Sequence, residues 1–350
     1  MYRRGLKKTL ILLLACTFAV TGCGRQETQA EEKKGIIDKP QIGITFDTFV
    51  LERWLKDRDV FVATAQKLGA EVDVQNANGD INKQTAQINR FVEAKVDVIV
   101  VIPVDCYELK GAVENARNHG IEVISYDRLI QETKTDLYIT VDSEQVGEAM
   151  GETMKTNLPD GGNIAMICGP ENDTNCKQVA DGFEKAIEGS GLNVIYKNYV
   201  KAWTSEYGTK AMQEAMAENE QIDGVMCGND GLAGFAIQVL SEQQLAGQVV
   251  VVGQDADLEA CQRVVEGTQA MTVYKPIEEL ARTAAEFAVE LSDKGRLPKV
   301  KDTIENEIDE VPEEVPYYGL APVAVTKENM DEVIVDSGFH LHDEVYLNVE

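Results

Sequence analysis

"NKQTAQINRFVEAKVDVIVVIPVDCYELKGAVENARNHGIEVISYDR", residues 82–128, decides the fold. An amphipathic helical stretch (82–95) leads into the apolar run "VDVIVVI". A second helical stretch (108–120) then leads into "IEVISY". Short β-branched runs alternating with helices are the signature of βαβ units. Right-handed crossovers then place the strands in a parallel sheet with helices on both faces. Gly120 closes the second helix, as Gly69 closes an earlier one, because glycine accepts the left-handed conformation that ends a helix.

The pattern extends outward in both directions. Upstream lie "IGITF", the helix "RDVFVATAQKLG" and "EVDVQ". Downstream, "LYITVDSEQVGEAMGETM" is expected to cross to a second sheet built from "NIAMIC", "NVIYKNYV", "DGVMCG", "VVVVG" and "AMTVY". The helix "IEELARTAAEFAVELSDKG" follows, then the acidic, proline-bearing tail "IENEIDEVPEEVPYYGLAPVAVTKENM", expected to be strand and connector. The 350 residues suit two domains. The fold class is therefore α/β: two doubly wound parallel-sheet lobes joined by a multi-strand hinge. The expected boundaries are 40–142 plus 278–303 for the first lobe and 143–277 plus 304–350 for the second.

The N-terminus reads differently. "MYRRGLKKTLILLLACTFAVTGC" has a basic start, a short apolar run and small residues, which is a secretion signal over 1–22. Val20-Thr21-Gly22-Cys23 fits the bacterial lipobox, so Cys23 is the expected lipidation site and 23–39 a polar tether. The expected location is the outer face of the cell membrane. Formal net charge is −27, and the leader contributes only bases, so nucleic acid is excluded as a partner. Of seven cysteines, Cys106, Cys168, Cys176, Cys227 and Cys261 read as buried thiols; Cys168 and Cys176 are spaced so that a pairing stays open.

In a parallel α/β sheet, ligands bind beyond the carboxyl ends of the strands. Those ends carry Arg53 and Trp54, "SYDR" (Asp127, Arg128), "CGPENDTN" (Asp173, Asn175) and Trp203. They also carry "CGND" (Asn229, Asp230), "GQDAD" (Gln254, Asp255, Asp257) and "VYKP" (Lys275). Asp and Asn at such places also serve as helix caps, and Asp230 and Asp257 are read as caps or hinge supports. Planar polar groups with two indoles suit a sugar, whose hydroxyls donate and accept while its C–H faces pack on aromatic rings.

No P-loop, G-x-G-x-x-G or G-x-S-x-G motif occurs. His119 reads as a helix C-terminal cap. His340 and His342 have a metal-compatible spacing with no partner cluster, so no metal and no cofactor are expected. Asp127, Asp173 and Asp255 keep a glycoside-hydrolase alternative open. Against it, Arg53, Arg128 and Lys275 are expected to hold these acids ionised, so the protein is read as a binder and not an enzyme.

"LERWLKDRDVF", "QNANGD", "SYDR", "GQDADL" and "GTQAMTVYKPI" resemble the sugar-binding periplasmic-binding-protein family of the ribose, galactose and xylose type, from about residue 41 to 340. The resemblance implies the type I fold of that family and a monosaccharide ligand, D-xylose by preference. Its ligand contacts would be Arg53, Trp54, Asp127, Arg128, Asp173, Asn175, Trp203, Asn229, Asp255 and Lys275, with Trp54 and Trp203 sandwiching the ring. "GPENDTNCK" and "VKAWTSEYG" depart from the family around Asp173 and Trp203. Hinge closure would present the sugar to an ABC-type permease, or alternatively to a sensor kinase or chemoreceptor. Trp54→Ala is expected to weaken binding without unfolding the protein.

Overall fold

The computed structural model describes residues 39–350, except 51–52, 220, 294–299, 301, 309–310 and 350. The proposed leader, lipidation site Cys23 and nearly all of the tether lie outside the described residues. Residues 39–350 form one compact unit.

The first sheet is laid down by β1 (Gln41–Phe46), β2 (Glu71–Asn76), β3 (Val98–Val101), β4 (Glu122–Tyr126) and β5 (Leu137–Val141). Between them run α1 (Arg53–Lys67), α2 (Ile81–Ala94) and α3 (Lys110–Asn118). The second sheet has β6 (Gly162–Cys168), β7 (Leu192–Tyr199), β8 (Gly224–Cys227) and β9 (Val250–Val252). Its helices are α4 (Ser143–Asn157), α5 (Thr174–Ile187), α6 (Ser205–Glu218), α7 (Asp230–Glu242) and α8 (Leu258–Glu266). Then follow β10 (Thr272–Tyr274), α9 (Ile277–Ser292), β11 (Asp302–Ile308), β12 (Val311–Leu320) and β13 (Val323–Val325).

In the first lobe β1 lies between β2 and β3, all parallel, and β6 occupies the same place between β7 and β8 in the second. Each lobe therefore reverses its strand order beside its first strand, which opens a crevice at the carboxyl ends. Strands β3 (VIVV) and β8 (GVMC) are buried along their whole length, as helices on both faces require. Asp80, Asp142, Asp173 and Asn229 each cap the following helix by accepting a main-chain N–H.

The chain leaves the first sheet after β5, returns through α9, which packs on α1, and leaves again after β12. The third crossing differs from the sequence expectation, which put residues from 304 onward in the second lobe. Strands β11 and β12 form an antiparallel hairpin, and β12 adds in parallel to β5 of the first sheet. The hairpin is an edge, largely exposed and charged, with Asn306 as its buried anchor on the carbonyls of Ile130 and Thr133. Alternating charge of that kind carries no mark of which sheet it joins. Strand β13 then pairs with β10 beside the second lobe. Among the described residues no helix is long and apolar enough to cross a membrane.

Candidate functional site

Every strand-end residue singled out as a ligand contact lines one cleft. Arg53 and Trp54 stand in the first turn of α1, and Asp127 and Arg128 follow β4. Asp173 and Asn175 open α5, Trp203 precedes α6, Asn229 caps α7, Asp255 follows β9, and Lys275 follows β10. Cys176 and Gln254 complete the lining. The cleft is narrow, with a cavity of about 30 Å³ between these side chains.

Side chains of the two lobes meet across it. Arg128 donates through Nη1 to Asp47 at 2.7 Å and to the Pro103 carbonyl at 2.9 Å, both in the first lobe. Its Nε lies 2.7 Å from Asp173 Oδ2 in the second. Arg53 pairs with Asp127 at 2.8 Å, and its Nη1 is 3.9 Å from Asp255, which Lys275 holds at 2.9 Å. Asn175 donates to the Asp127 carbonyl at 2.9 Å. Outside the cleft, Cys106 N–H donates to the Asn172 carbonyl at 3.1 Å, and Asn172 Nδ2 returns a bond to Val104.

The backbone aims two of these carboxylates. Asp127 (φ 66°), Asp255 (φ 105°) and Ala256 (φ 54°) occupy the left-handed region, where a non-glycine residue is held only by its surroundings. For Asp255 those surroundings centre on Asp230. Its buried carboxylate accepts from Gln269 Nε2 (2.8 Å), Thr272 Oγ1 (2.6 Å) and the Asp257 N–H (3.2 Å). The reading of Asp230 as a support is thus its observed place.

Charge is nearly matched, and the environment decides each group's state. Burial opposes the charge on Arg53 and Arg128, but the facing carboxylates outweigh it and raise both. Burial pushes Asp127 up, yet Arg53, Lys275 and Arg128 together hold it below the ordinary carboxylate value. Asp173 and Asp47 differ. Burial outweighs Arg128 for each and lifts both above the ordinary value. The expectation that the cleft cations deny these acids a raised pKa therefore holds for Asp127 and not for Asp173, where burial outweighs Arg128.

Trp54 also departs from expectation. Its ring is 1 % exposed and packs edge-on against Phe46, with the Arg53 guanidinium 4.3 Å over its face. A side chain this deep in the first-lobe core supports the fold as well as the cleft, so Trp54→Ala is expected to destabilise the protein by about 3–5 kcal/mol. Trp203 is half-buried and lies against Gly169, where a Cβ would stand 2.0 Å from the ring. Glycine at 169 is what admits the indole to the cleft wall.

The remaining expectations resolve as follows. The five described cysteines are free and buried. His119 caps α3, its Nδ1 2.8 Å from the Asn115 carbonyl. His340 bonds the Ala256 carbonyl at 2.8 Å, whereas His342 lies exposed beside Asp343. Sequence reasoning missed Asp47, which orients Arg128, and Asp57, which accepts from Tyr126 and faces Arg53 at 3.8 Å. Asp47 follows β1 directly, so the strand-end rule applied once more would have found it. Asp57 is four residues into a charged helix and gave no signal.

Five buried polar atoms of the cleft residues make no hydrogen bond within the protein: Arg53 Nε, Trp54 Nε1 and Gln254 Oε1, together with Arg128 Nε and Asp255 Oδ1, which lie only in ion pairs with Asp173 and Lys275. Native proteins pair nearly all such groups, so donors and an acceptor left over together define a site for a polar, hydroxyl-bearing guest.

Residues 42–296 match the family model described as a periplasmic binding protein domain. The chain belongs to the periplasmic binding protein family. Within that family it is 39 % identical to the D-xylose-binding periplasmic protein of Escherichia coli, over 97 % of this chain and 99 % of that one. It is 40 % identical to the D-xylose-binding periplasmic protein of Haemophilus influenzae, over 87 % and 92 %. Its fold matches an ABC transporter solute binding protein from Clostridium phytofermentans with bound β-D-glucose. That likeness has a TM-score of 0.78 and 26 % identity and covers 87 % of this chain and 99 % of that one. The type I periplasmic binding protein architecture, with two parallel-sheet lobes about a cleft, is the fold of this chain.

Proposed function

We propose that the protein binds D-xylose in the interlobe cleft, without turning it over, and presents it to an ABC-type importer. The observation that carries this reading is the set of unpartnered buried polar atoms in a cleft walled by two indoles and buried charge pairs. Charged groups satisfy the ring hydroxyls with strong bonds, and Trp54 and Trp203 supply apolar wall for its C–H faces. The names of the two relatives near 40 % identity support D-xylose over other sugars. Arg53, Trp54, Asp127, Arg128, Asp173, Asn175, Trp203, Asn229, Asp255 and Lys275 are the proposed contacts. Closure brings the second-lobe set onto a sugar held by the first, and bonds made only in the closed state drive it. Acylation at Cys23 would tether the protein to the outer face of the membrane.

Calorimetric titration of the purified protein tests this, using D-xylose, ribose, arabinose, glucose and galactose. One-to-one binding of D-xylose in clear preference is the expected result. Preference for another sugar removes the D-xylose assignment, and binding of none removes the sugar reading.

A further inference from the structure

Gln254 stands between β9 and the left-handed Asp255–Ala256 turn and is not among the ten contacts proposed above. It lines the cleft beside Asp255 and Asn229, and is 6 % exposed. Its main chain is fixed, because its carbonyl accepts the Asp230 N–H at 2.9 Å. Its side chain is fixed too, because Nε2 donates to the Gly228 carbonyl. Exchanging the amide oxygen and nitrogen would set carbonyl against carbonyl, so the orientation is decided by chemistry. What remains is Oε1, buried and without a partner in the protein. It has only lone pairs to offer.

The cleft carboxylates Asp127, Asp173 and Asp255 are already engaged by Arg53, Arg128 and Lys275. Gln254 Oε1 differs from them: it is neutral and uncommitted. We propose that Gln254 is a further ligand contact, whose side-chain carbonyl accepts a hydrogen bond from one hydroxyl of the bound sugar and so selects sugars that carry it. A site built around a buried acceptor rejects an analogue lacking the donor far more strongly than one with a mere change of size, because the acceptor is then left unpaired. This inference rests on the sugar-binding reading above and deepens it.

The test is a cycle between protein and ligand. Parent protein and Gln254→Met are titrated with D-xylose and with its 2-, 3- and 4-deoxy analogues. The expected result is that Gln254→Met weakens D-xylose about tenfold, the loss of one well-made buried hydrogen bond. One deoxy analogue binds the parent weakly by a similar factor, yet binds Gln254→Met within about twofold of D-xylose, the mark of a shared interaction. Gln254→Asn, which keeps the amide but withdraws the acceptor by one methylene, decides by the same cycle should the methionine variant fail to fold. Deoxy penalties that persist undiminished in the variants overturn the inference, as does parent-like D-xylose affinity. Failure of the parent itself to bind D-xylose overturns the functional reading beneath it, a distinguishable outcome.

Discussion

Replacing Asp173 with asparagine isolates one of the contacts that join the two lobes. Asp173 does two jobs: one carboxylate oxygen caps α5 through the Asn175 N–H at 3.0 Å, and the other faces Arg128 Nε at 2.7 Å across the cleft. Asparagine is as good an N-cap as aspartate, so the helix keeps its start. The cross-lobe charge is lost. Removing one partner of a buried, hydrogen-bonded charge pair costs about 2–5 kcal/mol, and this ion pair, which makes no hydrogen bond, belongs at the lower end. Here Arg128 retains Asp47 and the Pro103 carbonyl and is not left stranded, which places the cost near about 2 kcal/mol. Spent on the closed state alone, that is about a 30-fold rise in Kd. The assay pairs calorimetric titration of D-xylose with thermal unfolding in its absence. The expected outcome is the affinity loss with Tm changed by no more than about 2 °C. A D173N protein that binds D-xylose as tightly as the parent would refute the claim that this pair holds the lobes together.

Other perturbations read other parts of the site. Burial pushes the Asp230 carboxyl from its ordinary 3.8 up to about 7, so between these values the folded protein keeps a proton that the unfolded chain releases. Its stabilising contribution is complete below about pH 4 and is lost as pH rises through about 7. Urea unfolding of the parent and Asp230→Asn from pH 4 to 8 should therefore show the parent's advantage shrinking with pH; a constant difference would contradict the assignment. Gly169→Ala drives a methyl into the Trp203 ring and the Cys176 sulfur, and should weaken sugar binding about tenfold or more with a smaller loss of stability, read by the same titration. Trp54→Ala should lower both affinity and unfolding free energy, the latter by about 3–5 kcal/mol. Trp203→Ala, at a half-buried ring, should lower affinity with a smaller stability loss. Equal destabilisation by the two would undo the distinction drawn between them.

The sequence revealed the strand ends because its local rules agree there: a β-branched run, then Asp, Asn or Arg, then a helix. Asp173 and Asn229 show why capping and ligand readings were hard to separate, since both residues cap a helix and line the cleft. What stayed hidden is pairing across the chain: Asp47 had a strand-end signal, but that it holds Arg128, and that Tyr126 bonds Asp57 one helical turn from Arg53, emerges only from packing. The β11–β12 hairpin was misplaced for a related reason. An exposed, charged edge pair joins whichever sheet its neighbours leave open, and that choice is made by β5 and Asn306, not by its own alternation. Trp54 was read, through the family resemblance, as stacking on the sugar in the cleft; that its ring is also buried in the first-lobe core, with Arg53 and Asp57 buried beside it, is a matter of packing.

The anchoring of the two arginines has a temporal consequence. Arg53 is held by Asp127 and Asp57, and Arg128 by Asp47 and Pro103, all from the first lobe. If the lobes part as the proposed hinge closure requires, both guanidinium groups would keep their aim, and half of the recognition surface would be ready before any sugar arrives. Asp173, Asn175 and Asp255 would meet it only when the gap shuts. Encounter would then be governed by one lobe and residence time by the other. Changes in the second lobe should shorten how long a sugar stays without altering how fast it is caught.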